Sequence, residues 1–178
     1  MAIEATRRQL LIPTLALCAA ACRKTEPDLS GFTEEEPTHL SSLIQVADPR
    51  VASQLISGWH QVEGNAWRWT ARNFAAVLRP PPGSATLGAT LQFQLTVPAI
   101  IIRTLKFVKL SAAIGNCHLS PEAYLHPCDA VYARDIPPGI LVGDSVRVDF
   151  TLDKASPAAQ ADGRELGVIA HRVSLETK

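Results

Sequence analysis

The chain has 178 residues, and its 17 lysines and arginines balance 17 aspartates and glutamates. That length fits one domain, and a neutral balance argues against a nucleic-acid partner, which calls for a basic face. Apolar residues at 47% against 19% charged exclude a disordered chain, and no apolar stretch reaches the roughly 18–20 residues of a membrane-spanning helix.

The opening MAIEATRRQLLIPTLALCAAAC is built as an export signal. Arg7 and Arg8 supply the positive start, and Leu10 to Ala21 the apolar stretch. Ala19, Ala20 and Ala21 are small residues just before Cys22. This resembles a bacterial lipoprotein signal, in which such a cysteine is acylated. The usual leucine three places before the cysteine is Ala19 here. Cys18 follows the bulky Leu17 and suits lipidation less. Alternatives are a plain secretory signal and a buried N-terminal helix. Thr6-Arg7-Arg8-Gln9-Leu10-Leu11 also resembles a twin-arginine export motif, with Ile12 where a basic residue is usual. The division expected is residues 1–21 as signal, 22–47 as polar tether and 48–178 as the folded domain. A tether of that length reaches about 25–30 Å. The implied home is the bacterial cell envelope, with the lipid bilayer held through acylated Cys22.

Four cysteines are present. Loss of Cys18 with the signal and lipidation of Cys22 leave Cys117 and Cys128, which pair in an oxidising compartment. The loop-entropy model gives such a bridge about 2–3 kcal/mol. The alternative is zinc, held by Cys117, His118, His126 and Cys128. Against it, adjacent Cys-His ligands aim in different directions. No metal and no cofactor is expected.

Leu40 to Val46 reads as a short first strand. Asp48 as N-cap, Pro49 at the first helical position and Gly58 as a stop predict a short helix between them. From Trp59 the chain reads as strands. Leu91, Phe93, Leu95 and Val97 alternate with polar residues, as do Val108, Leu110 and Ala112, and Val146, Val148, Phe150 and Leu152. Ala99 to Leu105 suits a helical crossing, and Val131 to Arg134 a short strand. The segment between Cys117 and Cys128 reads as a hairpin loop, and Ser156 to Gly163 as a small-residue loop. Leu166 to Leu175 reads as the last strand, with Val168, Ala170 and Arg172, or the opposite set, facing inward. About seven or eight strands without helices between them predict an all-β fold, an antiparallel β-sandwich of jelly-roll type.

Catalytic signatures are missing: no Gly-x-Ser-x-Gly, no His-Glu-x-x-His and no glycine-rich phosphate loop. Glu63, Asp135, Asp144, Asp149, Asp153 and Glu165 could supply the carboxylate pair of a hydrolase, but spacing does not pair them. His60 and His171 read as structural histidines on or beside strands.

The most distinctive patch is Gly58-Trp59-His60-Gln61-Val62-Glu63 followed by Trp67-Arg68-Trp69-Thr70, which holds all three tryptophans. "GWHQVEGNAWRWT", the strand ending "RPPPG" and the tail "FTLDK…DGRELGVIAHRVSLE" resemble an uncharacterised bacterial β-sandwich domain that recurs in small lipoproteins. Related Gly-Trp…Glu…Trp patterns are attached to glycosyltransferases of polysaccharide pathways. The resemblance spans about residues 48–176. It implies a β-sandwich and no settled activity. The family's asparagine-glycine hairpin is replaced here by Gly115-Asn116-Cys117.

Two readings of the patch stay open. Exposed indoles flanked by Glu, Arg and Gln make a sugar platform, with Trp59, His60, Glu63, Trp67, Arg68 and Trp69 as candidate ligand-binding residues. Alternatively Trp67 and Trp69, two apart on one strand face, pack into the core. Arg164-Glu165 is expected to pin the last strand through an ion pair with Arg68 or Glu63. The function expected is a non-catalytic envelope lipoprotein that binds a glycan or a protein partner. A structural assembly subunit and an envelope hydrolase are the alternatives.

Overall fold

Alternation is obeyed most cleanly where both faces of a strand have a clear fate. In Ala89–Val97 the residues Leu91, Phe93, Leu95 and Val97 are sealed from solvent, while the polar residues between them point outward. The computed structural model describes residues 39–158 and 163–178. The expected lipoprotein signal, Cys22 and the expected tether up to residue 38 lie outside those residues.

Nine strands are described: β1 Leu43–Gln45, β2 Leu55–Glu63, β3 Trp67–Leu78, β4 Ala89–Val97, β5 Val108–Ile114, β6 Cys117–Tyr124, β7 Cys128–Ile136, β8 Val146–Leu152 and β9 Ile169–Thr177. Short helices α1 (Ser84–Leu87) and α2 (Ala99–Leu105) sit in the β3–β4 and β4–β5 connections. Every pairing is antiparallel. One layer runs β1-β9-β4-β7 and the other β6-β5-β8-β3. That is the jelly-roll strand order, with β2 added as a hairpin partner of β3. The all-β antiparallel expectation holds.

Strand β3 joins the layers. Its residues 73–78 pair with β8, whereas Arg68 and Trp69 pair with β9. Between the layers Phe74 and Phe150 stack with ring centres 5.0 Å apart, and Phe93 of the facing layer lies 5.6 and 5.1 Å from them. Ring pairs of this kind each add about 0.5–1.5 kcal/mol beyond area burial.

The opposite margin, between β6 and β7, is closed by side chains. Tyr132 Oη donates to Ser120 O at 2.9 Å. Arg134 donates to Ser120 O at 2.7 Å and to Pro121 O at 3.1 Å, and pairs with Glu122 at 2.9 Å. Its guanidinium lies 4.4 Å over the Tyr132 ring.

Several expectations are corrected. Asp48 does cap a helix, accepting from Arg50 N, but the helix is a 3-10 turn over Pro49–Gln54. Gly58 does not stop it. Gly58 lies within β2 at φ +74°, where any side chain would collide with Asn73 O of β3, and the β2–β3 register shifts on both sides of it. The presumed hairpin loop after Cys117 is strand β6. Only Leu119 and Tyr124 of that strand are buried, an odd spacing that follows no two-residue period, and Pro121 suits an edge.

That strand also removes the expected Cys117–Cys128 bridge: both thiols are free. Cys117 opens β6 and Cys128 opens β7 after the turn that follows Tyr124. Seven strand residues, about 23 Å, separate Cys117 from the end where Cys128 lies, far beyond the Cα spacing a disulfide tolerates. The same separation divides the alternative zinc set.

The last strand obeys neither inward set alone. Val168 and Ala170 are buried, then Val173 and Leu175. The inward phase changes because β9 carries an extra residue: Leu95 pairs with Ala170 but Gln94 with Arg172.

Candidate functional site

The tryptophan motif forms the corner where β2, β3 and the segment leading into β9 meet. Trp59 packs edge-on to Phe74 at 5.0 Å and donates its indole N–H to Ala75 O at 2.7 Å. Trp67 and Trp69 share a face as expected, ring centres 6.1 Å apart and perpendicular. Trp69 is buried, whereas Trp67 and Trp59 are half-buried against the core.

The polar members of the motif face inward contacts. Arg68 donates to Val46 O at 2.6 Å and to His60 O at 2.9 Å, and burial pulls its pKa below the ordinary guanidinium value. His60 Nε2 lies 2.7 Å from Glu165 O, so it is the proton-bearing nitrogen there. Glu63 pairs with Arg164 at 2.8 Å, the pin expected for the last strand. Glu165 accepts from Arg72 N at 2.9 Å. Gly167 completes the joint: its N–H donates to Thr70 O at 2.6 Å, and a methyl group there would strike Thr70 and Leu152. So the structure brings Trp59, His60, Glu63, Trp67, Arg68 and Trp69 together, and most of their polar atoms are engaged inside the protein.

A different place offers polar atoms outward. On the outer face of β9, β4 and β7, an open cavity of about 460 Å³ is lined by Gln94, Leu95, Thr96, Asp129, Ala130, Val131 and His171. Thr96 Oγ1 lies 2.5 Å from Asp129 Oδ1 and 2.9 Å from His171 Nε2. A hydroxyl has one proton and a carboxylate has none to give. Thr96 therefore donates to Asp129 and accepts from the Nε2–H of His171. A nucleophilic hydroxyl needs the reverse, an imidazole that takes its proton.

Of the six carboxylates considered for hydrolysis, Glu63 and Glu165 lie at the tryptophan corner, held by Arg164 and by Arg72 N, and the other four are dispersed. Asp149 pairs with Arg147, Asp153 accepts from Lys109 N, and Asp144 lines a shallow cavity beside Arg79. Asp135 is held by Lys178 and Thr90, which lower its pKa in that order. Sequence reasoning missed Gln94, Thr96, Asp129 and Val131 as cavity residues. The signal that leads to them is the change of apolar phase in β9, which marks the extra residue. Compared with known proteins, the chain matches no family model and no curated sequence.

Proposed function

We propose that the protein is a non-catalytic, lipid-anchored envelope protein whose jelly-roll domain is a binding module, with a glycan as its ligand. The observation that carries this reading is the direction of the Thr96 hydrogen bonds. The cavity gathers a carboxylate, an amide, an imidazole and a hydroxyl, yet the imidazole donates to the hydroxyl instead of activating it. Such a set holds a polar ligand and does not attack it. Jelly rolls also serve as lectin domains, an analogy at the level of fold alone. The apolar stretch and the small residues before Cys22 support the anchor.

The test has two arms. Cells fed labelled palmitate should yield labelled protein, and Cys22→Ala should abolish the label; label that survives the substitution defeats the anchor. The full chain in detergent should bind immobilised oligosaccharides saturably. A second reading is an assembly subunit that docks an envelope protein through the β6–β7 turn. It is favoured by Leu125, which stands 61% exposed there. Crosslinking in intact envelopes with a probe at position 125 distinguishes it.

A further inference from the structure

We infer that the saccharide site lies on the outer face of β9, β4 and β7, that it takes a neutral sugar, and that the extra residue in β9 builds it. The inference rests on the proposed glycan-binding function and adds its location and ligand class.

In a regular strand His171 and Arg172 would point to opposite faces. The register shift between Gln94 and Leu95 places both on the outer face, since Ala170 before them and Val173 after them are the buried residues. Cross-strand register then lines up Gln45, Arg172, Gln94 and Val131 across β1, β9, β4 and β7. Thr96 and Asp129 stand opposite each other in an adjoining row.

The contrast along this face locates the site. Toward its far end the polar groups satisfy one another: Gln92 donates to Glu176 at 2.7 Å, Ser174 to Glu176 at 3.2 Å and Thr90 to Asp135 at 3.1 Å, and Lys178 pairs with Asp135. Around the cavity they do not. Among the described residues, the Gln94 amide and the Arg172 guanidinium have no internal hydrogen-bond partner. Asp129 has Thr96 on one oxygen only. An amide, a guanidinium and a carboxylate are planar groups that offer paired donors or acceptors. Adjacent sugar hydroxyls both give and accept hydrogen bonds, so they match that set. Val131, 48% exposed, supplies an apolar footing for a ring's C–H face. Asp129 in the cavity wall accepts from hydroxyls, and with Arg172 it brings one charge of each sign to the face, which leaves no net pull on a carboxylate and suits a neutral sugar.

The experiment uses the full chain in a detergent without a sugar headgroup. It is screened on an array of neutral and uronate-containing oligosaccharides, then titrated with the strongest binder. Saturable binding of a neutral sugar is expected, weakened tenfold or more by Gln94→Ala and by Arg172→Ala, with melting unchanged and Glu63→Gln without effect. Binding that survives both face variants and falls with Trp67→Phe would overturn the site and leave the glycan function standing. A preference for uronate-containing chains would overturn the ligand class. No binding by a folded wild-type chain would overturn the glycan function itself, and the site with it.

Discussion

The tryptophan corner and the outer face of β9, β4 and β7 hold similar side chains and use them in opposite ways. At the corner, Arg68, His60, Glu63 and the Trp59 indole N–H all reach partners within the chain. On the face, Gln94 and Arg172 reach none among the described residues, though they stand only two or three residues from groups that do. A concentration of aromatic and charged residues in the sequence therefore marks the place where the fold is fastened. The place that can receive a ligand is marked by hydrogen-bonding groups without internal partners. What separates the two is topology. The corner is where β3 passes from one layer to the other, and the carbonyls of Val46, His60 and Glu165 gathered around it take side-chain donors.

Substitutions can break or sharpen this contrast. The largest effect belongs to the corner: Trp69→Ala should destabilise by about 3–5 kcal/mol in urea unfolding, as expected for a buried aromatic. A loss below about 1 kcal/mol would place the ring at the surface instead. Arg68→Ala should cost about 2–3 kcal/mol, because Val46 O and His60 O lose a charged donor. Arg68→Lys should fail to restore it, since an ammonium cannot reproduce the fork between the two carbonyls. The Glu63–Arg164 pair, each side chain about one-third exposed, should show a coupling of about 0.5 kcal/mol in a double-mutant cycle. Smallest of all, Gln94→Ala should change stability by no more than about 0.5 kcal/mol. A larger loss would mean that the face fastens the fold as the corner does.

The sequence-level reading succeeded where one face of a strand is buried and the other is wet, as in β4, β5 and β8. The Glu63–Arg164 pin was also within reach, because opposite charges flank the two segments that must meet. Strand β6 was not legible: its two buried residues, Leu119 and Tyr124, lie five apart, Pro121 interrupts it, and its pairing with β5 shifts between Leu110 and Ala112. Missing that strand made Cys117 and Cys128 look like neighbours. The start of strand β2, residues 55–58, was hidden by its irregular register, which Gly58 permits. The β9 phase change is written in the sequence as Val168, Ala170, Val173 and Leu175. A two-residue period, applied strictly, cannot represent an inserted residue.

The margin between β6 and β7 has a consequence for how the protein breathes and for how it meets its own copies. A backbone ladder opens cooperatively, whereas Arg134, partly exposed, can let go by changing rotamer. Amide protons facing that margin should exchange with deuterium before those of β4 and β9, in openings far short of global unfolding. While Tyr132 and Arg134 are in place, they also cover the Ser120 and Pro121 carbonyls that a strand from another molecule would need. A protein crowded on a surface would thus present a blunted edge along this margin, and pairing with a neighbour's strand there would wait on its opening.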